Sequence, residues 1–189
     1  MKLSEPVSVL PDFSHAHRID THVHLVPDWY RVLAPEAAGR PTPKWDVLSH
    51  LHFMADHNIT RSIVCVSTPQ ANVYPDDMEK TKALARILNE LVAVMVKTYP
   101  NRFSFFAITP LPYIPEAIKE VEYALDELGA VGVGILTNHE GKYPEEFRAL
   151  WQALDARNTS REIVFIHPTD PVIRVDGRLV KCKPGEFSW

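Results

Sequence analysis

The feature that most constrains the fold of this chain is a regular alternation of strand-like and helix-like segments. Short runs of β-branched and aromatic residues, each bounded by turn residues, predict five strands. They cover Arg18 to Leu25, Arg61 to Thr68, Arg102 to Thr109, Val131 to Thr137 and Glu162 to Thr169. Apolar residues at helical spacing predict four helices between them, over Trp45 to His57, Asp76 to Tyr99, Pro115 to Leu128 and Pro144 to Arg157. Strands that alternate with helices favour right-handed crossovers and a parallel sheet covered by helices.

Two architectures share this order of elements, an open doubly wound sheet and a TIM-type (β/α)8 barrel. A dinucleotide-binding open sheet carries Gly-x-Gly-x-x-Gly just after its first strand, and no such motif follows Leu25. Gly132 and Gly134 fall inside the fourth strand instead, where they predict a close approach of neighbouring backbones. A complete barrel of this type takes about 250 residues, whereas this chain has 189. We therefore expect an α/β fold of the TIM-type (β/α)8 barrel kind, truncated to about five strands and four helices.

The composition is that of a globular protein. Hydrophobic residues make up 46% of the chain, charged residues 23%, and the formal net charge is -4. No run approaches ~18 apolar residues and no signal-peptide pattern opens the chain, so we expect a cytoplasmic protein that does not contact membranes. The two cysteines predict no disulfide framework. Because a mildly acidic chain without a basic stripe attracts phosphates poorly, nucleic acid is not an expected partner.

A long segment without clear periodicity joins the first strand to the first helix. It runs from Pro27 to Pro43 and carries Trp29 and Tyr30 near its start. In (β/α) proteins such loops lie at the C-terminal mouth of the sheet and often shape the substrate pocket. Trp29 and Tyr30 are therefore candidate substrate-binding residues that could form an aromatic wall, and simple packing within the loop explains them equally well.

Three histidines lie where parallel strands of such a fold end. Because side chains alternate along a strand, we expect Asp20, His22 and His24 to share the interior face of the first strand. His167 ends the fifth strand in Val-Phe-Ile-His-Pro. Each histidine alone also fits a hydrogen-bonded or solvent-facing residue. Together at one mouth, however, neutral imidazoles form a good ligand set for a divalent ion.

Other histidines are weaker candidates. A second His-x-His, at His15 and His17, precedes the first strand at the opposite end of the sheet, and we do not expect it to bind metal. His139 follows the fourth strand together with Glu140. We consider His139 a candidate substrate-binding residue, although a solvated loop is the simpler interpretation.

Five short motifs form a specific combination over about residues 18 to 170. They are Ile19-Asp20-Thr21-His22-Val23-His24 with Pro27 and Tyr30, Val66-Ser67-Thr68-Pro69, Ile108-Thr109-Pro110-Leu111-Pro112, Gly132-Val133-Gly134-Ile135 with Thr137-Asn138, and Val164-Phe165-Ile166-His167-Pro168. This combination resembles the amidohydrolase-related metal-dependent decarboxylases. That group includes aminocarboxymuconate semialdehyde, γ-resorcylate and 6-methylsalicylate decarboxylases, and the Thr-Pro-Leu-Pro and Thr-Asn-His-Glu-Gly stretches are most similar to the last of these.

The resemblance implies a carboxy-lyase that removes carbon dioxide from a small aromatic carboxylic acid without oxidation, in the manner of 6-methylsalicylate to m-cresol. His22, His24 and His167 match the family's three histidine ligands, and zinc is the divalent metal that we expect first. The family's aspartate ligand on the eighth strand and its further histidine on the sixth cannot be placed in this chain, so the catalytic residues stay unassigned. The resemblance also implies a role in secondary metabolism and allows a homodimer of the full-length type.

Two other functions remain open at this point. A hydrolase or lactonase of the same superfamily, in which a metal-bound water attacks a carbonyl, uses the same His-x-His. The chain could also be an inactive fragment, because five of eight strands cannot close a barrel. In that case we expect unpaired sheet edges, an incomplete metal site and a tendency to aggregate.

The last segment, residues 171 to 189, differs in character from the family-like part at residues 1 to 170. Its Asp176-Gly177 pair predicts a tight hairpin, which a variation within the family could carry. Unrelated sequence after a splice-site or frame error explains the change as well, and of the two we favour the error.

Overall fold

The computed structural model describes residues 16–37, 40–157 and 162–181. In chain order its first half contains β1 (Arg18–Leu25), α1 (Tyr30–Leu33), β2 (Glu36–Ala37), β3 (Arg40–Pro41), α2 (Val47–Asp56), β4 (Ile59–Val66), α3 (Met78–Thr98), β5 (Phe103–Ile108) and α4 (Ile114–Asp126). The second half contains β6 (Gly132–Leu136), a 3₁₀ turn (Pro144–Glu146), α5 (Arg148–Ala156), β7 (Ile163–His167), β8 (Val172–Val175) and β9 (Arg178–Lys181).

The centre of the fold is a parallel sheet of five strands in the order β1-β4-β5-β6-β7. All five predicted strands are confirmed; β1 has the predicted bounds, and the ends of the others differ by one or two residues. The four predicted helices are confirmed as α2, α3, α4 and α5, the last preceded by the 3₁₀ turn. The fold is therefore α/β, a curled parallel sheet with helices on its outer face, and it corresponds to part of a TIM-type barrel.

Two apolar clusters hold the helices on the sheet. Under α2 and α3, Val64, Phe103, Phe105 and Leu88 are fully enclosed. Under α4 and α5, Leu111, Val133, Ile135, Phe147 and Leu150 are enclosed in the same way. Removing such side chains from water is the main stabilising contribution to a domain of this size.

A buried asparagine ties three elements together. The side chain of Asn89, on α3, donates to the carbonyl of Ile108 and accepts from its N–H, both at 2.9 Å, at the end of β5. It also donates to Glu120 of α4 at 2.9 Å, and the other oxygen of that carboxylate pairs with Arg86 at 2.8 Å. Because all these groups are satisfied, a polar cluster is tolerated inside the core.

The outer strands of the sheet carry exposed apolar side chains. β1 and β7 have no further sheet neighbour in the described part of the chain, as expected for five strands of a barrel. Ile19 on β1 is 59% exposed, and Ile166 on β7 is 49% exposed. Among the described residues, no helix combines the length and apolar character needed to cross a membrane.

The predicted hairpin near the C-terminus is confirmed. β8 and β9 pair antiparallel around Asp176 and Gly177, whose φ values of 47° and 77° belong to a tight two-residue turn. The hairpin packs against the loops that follow the parallel strands, because Arg174 donates to the carbonyl of Glu140 at 3.2 Å and to Asp76 at 2.7 Å.

Candidate metal centre

The curl of the sheet brings the ends of its two outermost strands together. β1 and β7 lie at opposite edges of the sheet. His24 near the end of β1 and His167 at the end of β7 nevertheless meet on the concave face, with ring centroids 4.9 Å apart. The C-terminal ends of these two strands therefore form one site, as the parallel arrangement predicts.

An irregularity in β1 includes the first of its two histidines. The strand advances three residues from Asp20 to Val23 while β4 advances two, so one residue is extra. The Asp20 carboxylate accepts a hydrogen bond from the backbone N–H of His22 at 3.2 Å, which stabilises this local turn. Asp20 pairs with Ser62, whose hydroxyl contacts His50 of α2 at 3.1 Å. Asp20 thus lies on the helix side, and the expectation that it shares the histidines' face is wrong.

The three predicted ligands form a compact cluster. His24 Nε2 lies 2.9 Å from His22 Nε2 and 2.9 Å from His167 Nε2. The candidate ligand atoms all lie within 4.8 Å of one another. Nitrogens bound tetrahedrally to one zinc ion at ~2.0–2.1 Å are roughly 3.4 Å apart, so small outward movements of the rings would accommodate an ion.

Burial and mutual repulsion keep the imidazoles of β1 in their neutral form. Burial, and then the neighbouring His24 and His167, lower the pKa of His22 to about 4. The pKa of His24 is lowered by burial and by His167. At neutral pH these two rings are therefore in the form that binds metals. His24 Nδ1 also contacts the Ser67 hydroxyl at 3.2 Å, an interaction that orients the ring and leaves Nε2 directed at the cluster.

Aromatic rings form the floor of the cluster. Phe165 stacks on His22 with centroids 4.4 Å apart, and Phe106 stacks on Phe165 at 5.5 Å. The buried Nδ1 atoms of His22 and His167 have no hydrogen-bond partner among the described residues. The orientation of His22 is thus set by packing.

Two glycines of β6 lie where a side chain would not fit. A Cβ on Gly132 would lie 2.0 Å from the backbone oxygen of Ile163, and one on Gly134 would lie 2.8 Å from Cys65 Sγ. The predicted close approach of backbones is confirmed for Gly132, whereas the close neighbour of Gly134 is a side chain. Burial raises the pKa of the Cys65 thiol to about 12, so this cysteine is an inert packing group.

The cluster opens into a cleft of about 640 Å³ at the C-terminal mouth of the sheet. The cleft is lined by His24, Arg40, Pro41, Pro43, Ser67, Thr68, His167, Pro168, Thr169 and Asp170. Thr68, Thr169 and Asp170 also line a neighbouring cavity of about 450 Å³. Its walls are largely apolar, and the β8–β9 hairpin contributes Val172 and Leu179 to them. Together the two spaces offer an apolar surface beside a nitrogen cluster.

The predicted aromatic residues lie away from this cleft. Tyr30 is fully buried, and its hydroxyl donates to the carbonyl of Gln70 at 2.7 Å. Burial raises the pKa of Tyr30, which keeps the phenol protonated. Tyr30 is thus a packing residue that fixes the loop, and the prediction of substrate contact is corrected for it. Trp29 is 39% exposed, packs edge-on against Tyr30, and does not line the cleft.

His139 is enclosed in the protein interior. It is fully buried, so the solvated-loop interpretation is wrong. Its Nε2 accepts the backbone N–H of Leu136 at 3.1 Å, which places the ring proton on Nδ1, and Nδ1 donates to Asn72 at 2.6 Å. With both nitrogens engaged, His139 offers nothing to a substrate, and the candidate role is corrected. Its neighbour Glu140 is also buried, and burial raises the pKa of that carboxyl.

The second His-x-His lies away from the cluster. His15 lies outside the described residues, and His17 is exposed just before β1.

Two residues that line the cleft, Arg40 and Ser67, were not identified as site residues from the sequence. The signal for Ser67 was its place at the end of a strand, and for Arg40 its place in the loop expected to shape the pocket.

A parallel sheet of the TIM-barrel type with a His-x-His on its first strand and a third histidine at the end of a later one defines the class of metal-dependent amidohydrolase-like proteins. A sequence model described as "Amidohydrolase" matches residues 19–180. This chain belongs to the amidohydrolase family. The match continues through the hairpin, beyond the boundary predicted at residue 170.

Individual proteins agree with this assignment. A 6-methylsalicylic acid decarboxylase from Penicillium expansum is 34% identical over 165 residues, which cover 82% of this chain and 49% of that protein. A solved structure of an amidohydrolase II superposes with a TM-score of 0.74 and 34% identity, over 85% of this chain and 53% of that one. A 5-carboxyvanillate decarboxylase from Novosphingobium aromaticivorans, solved with bound manganese, has a TM-score of 0.67 and 17% identity over the same shares. The resemblance to the amidohydrolase-related decarboxylases is confirmed, and the chain spans about half the length of the relatives that it matches.

Proposed function

We propose that this protein is a metal-dependent, non-oxidative decarboxylase of small aromatic carboxylic acids, of the type that converts 6-methylsalicylate to m-cresol. The observation that carries the proposal is the convergence of three histidine Nε2 atoms beneath an open cleft, with His24 Nε2 2.9 Å from each of the other two. The named relative from Penicillium expansum supports the choice of substrate.

We propose that His22, His24 and His167 hold one divalent ion, with zinc as the metal. The residues fit such an ion because the pKa values of His22 and His24 are lowered, so that neutral nitrogens face a common point. When bound, the ion supplies positive charge that binds a substrate carboxylate with its neighbouring hydroxyl and stabilises charge in the transition state. Because the 5-carboxyvanillate decarboxylase was solved with bound manganese, manganese is the first metal to compare with zinc in binding experiments.

The residues around the cluster orient the histidines and shape the space for the substrate. His24 is oriented by Ser67, and stacked Phe165 and Phe106 form an aromatic floor under the cluster. The apolar walls of the neighbouring cavity suit a planar ring. In the reaction a proton adds to the carbon that carries the carboxylate, the bond to the carboxylate breaks, and carbon dioxide leaves while the ring regains aromaticity.

Metal analysis of the purified full chain tests the site directly. We expect a stoichiometric divalent metal in the wild-type protein and its loss in both His22→Ala and His167→Ala. His17→Ala, which changes an exposed histidine outside the cluster, is the matched control and should retain the metal. Full metal content in His22→Ala and His167→Ala would contradict the assignment of the ligands.

A product assay separates the decarboxylase from a hydrolase of the same superfamily. The metal-loaded protein is incubated with 6-methylsalicylate, and m-cresol is measured by chromatography. We expect m-cresol with the wild type and none with His22→Ala. Turnover of an ester or a lactone without release of m-cresol would overturn the proposed function.

A further inference from the structure

The cavity beside the imidazole cleft, the side cavity, is larger than an aromatic ring requires. Its volume is about 450 Å³, and Thr68, Thr169 and Leu179 are among the residues that line it. Thr68 and Thr169 also line the cleft, so the two spaces adjoin. A cavity of about 150 Å³ is enough to bind benzene. A ring that reaches the side cavity therefore leaves room there for several more carbon atoms.

The buried amides in the wall of the side cavity are already engaged. Asn138 donates to two backbone carbonyls and accepts the N–H of Gly141 at 2.9 Å. Asn72 donates to the carbonyl of Leu111 at 2.6 Å and accepts the ring proton of His139. Much of the remaining wall is hydrocarbon, from Leu33, Val73, Leu136, Val172 and Leu179. The side cavity therefore suits an apolar group better than one that needs hydrogen bonds.

The charged residues of the side cavity are mainly acidic. Glu36, Glu140 and Asp170 line it together with one basic residue, Lys181. Glu36 and Lys181 are exposed, so their charged groups can stay in water. Glu140 is enclosed, and its Oε2 accepts the backbone N–H of Asp76 at 3.1 Å. Because like charges repel, a carboxylate is disfavoured in this space and an uncharged group is not.

The β8–β9 hairpin fixes one wall of the side cavity through Leu179. Leu179 pairs with Arg174 of β8, and Arg174 donates to the carbonyl of Glu140 and to Asp76. A Cβ on Gly141 would lie 3.4 Å from Leu179 Cδ2, so the backbone of Gly141 packs closely against this side chain. The room available on this side of the cavity therefore depends on the size of residue 179.

We propose that the side cavity binds an alkyl chain on the ring of the aromatic acid, and that the preferred acid carries a longer chain than the methyl group of 6-methylsalicylate. The inference rests on the proposed function, because that function supplies the aromatic acid. Each CH₂ group buried in the cavity should strengthen binding about fourfold, which corresponds to about 0.8 kcal/mol. Affinity should therefore rise with chain length until the side cavity is full.

Calorimetric titration with salicylates that carry a methyl, propyl or pentyl group at ring position 6 tests the proposal without relying on turnover. The protein is the full chain as purified, with metal content measured for each sample. For the wild type we expect the propyl acid to bind about 15-fold more tightly than the methyl acid. Leu179→Trp, which fills the side cavity, should remove this gain and leave the affinity for the methyl acid unchanged. Leu179→Ala, which enlarges the cavity, should retain the gain.

Val180→Trp is the matched control, because Val180 is the next residue on β9, is 43% exposed and lines neither space. It should show the same gain as the wild type. Equal affinities for the three acids in the wild type, or no binding of any of them, would overturn the proposal, and so would the full gain in Leu179→Trp. Equal affinities together with release of m-cresol would leave the proposed function intact. Affinity that rises with chain length in a protein that releases no m-cresol would count against the proposed function and support the role of the side cavity.

Discussion

Acidification should destabilise this protein through one buried histidine, His139. The ring is fully enclosed, and its Nε2 accepts the backbone N–H of Leu136. A proton on Nε2 would bring two donors face to face, and burial accordingly lowers the pKa of His139 from 6.5 to about 3. The unfolded chain takes up this proton near pH 6.5 and the folded chain only near pH 3. Stability is therefore fully present above pH 6.5 and is lost as the pH falls.

The expected size follows from the pKa difference. One pKa unit corresponds to about 1.4 kcal/mol, so lowering the pH from 7 to 4 should reduce the free energy of unfolding by about 3 kcal/mol through His139 alone. Because His139 is fully buried, solvent does not screen this effect.

Urea unfolding followed by tryptophan fluorescence at several pH values measures this effect. Because other histidines also have lowered pKa values, the comparison is between the wild type and His139→Gln, which does not titrate. His139→Gln should be less stable at pH 7 and should lose about 3 kcal/mol less than the wild type between pH 7 and pH 4. His52→Gln, at an exposed position on α2, is the control and should follow the wild type. An unchanged pH dependence in His139→Gln would refute the reasoning.

Three further predictions concern packing and surfaces. Asn89→Leu leaves both backbone groups of Ile108 without their partner and should lower the free energy of unfolding by about 2–4 kcal/mol in urea titrations; an unchanged midpoint would contradict this. Arg174→Gln removes the ion pair with Asp76 and should speed amide exchange in the β8–β9 hairpin while leaving β4 protected, whereas equal exchange in both proteins would show that the pair does not hold the hairpin. Ile166→Lys places a charge on the exposed face of an edge strand and should reduce light scattering on concentration, and scattering equal to that of the wild type would mean that association occurs elsewhere.

Local patterns were sufficient to predict the elements of the fold. β1 begins at Arg18 and ends at Leu25 as predicted, because the residues that follow break the strand pattern. The hairpin around Asp176 and Gly177 was predictable for a similar reason, since both residues adopt positive φ and few residue types do so readily. In each case the deciding interactions lie within a few residues along the chain.

The environment of loop residues was not predictable in this way. His139 reads as a solvated loop residue, yet Asn72, 67 positions earlier, accepts its ring proton. Tyr30 fits an aromatic wall and simple loop packing equally well from the sequence, and the bond from its hydroxyl to the carbonyl of Gln70, 40 positions later, decides for packing. The side chain of Asp20 leaves the predicted face because the extra residue in β1 depends on pairing with β4. Whether such polar groups face solvent depends on distant parts of the chain that pack over them.

The candidate metal centre combines a predictable part with an unpredictable one. The positions of His22 and His167 at strand ends follow from the sequence pattern, but their separation depends on the curvature of the three strands between them. In a flat sheet β1 and β7, four strand spacings apart, would lie about 19 Å from each other, too far for two histidine side chains to meet. The observed 2.9 Å between His24 Nε2 and His167 Nε2 therefore requires a sheet curved like a barrel wall. Stacked Phe106 and Phe165 lie on the concave side of that curve, and the missing side chain of Gly134 leaves room beside Phe106. The residues that shape the interior are thus as important to the candidate site as the histidines themselves.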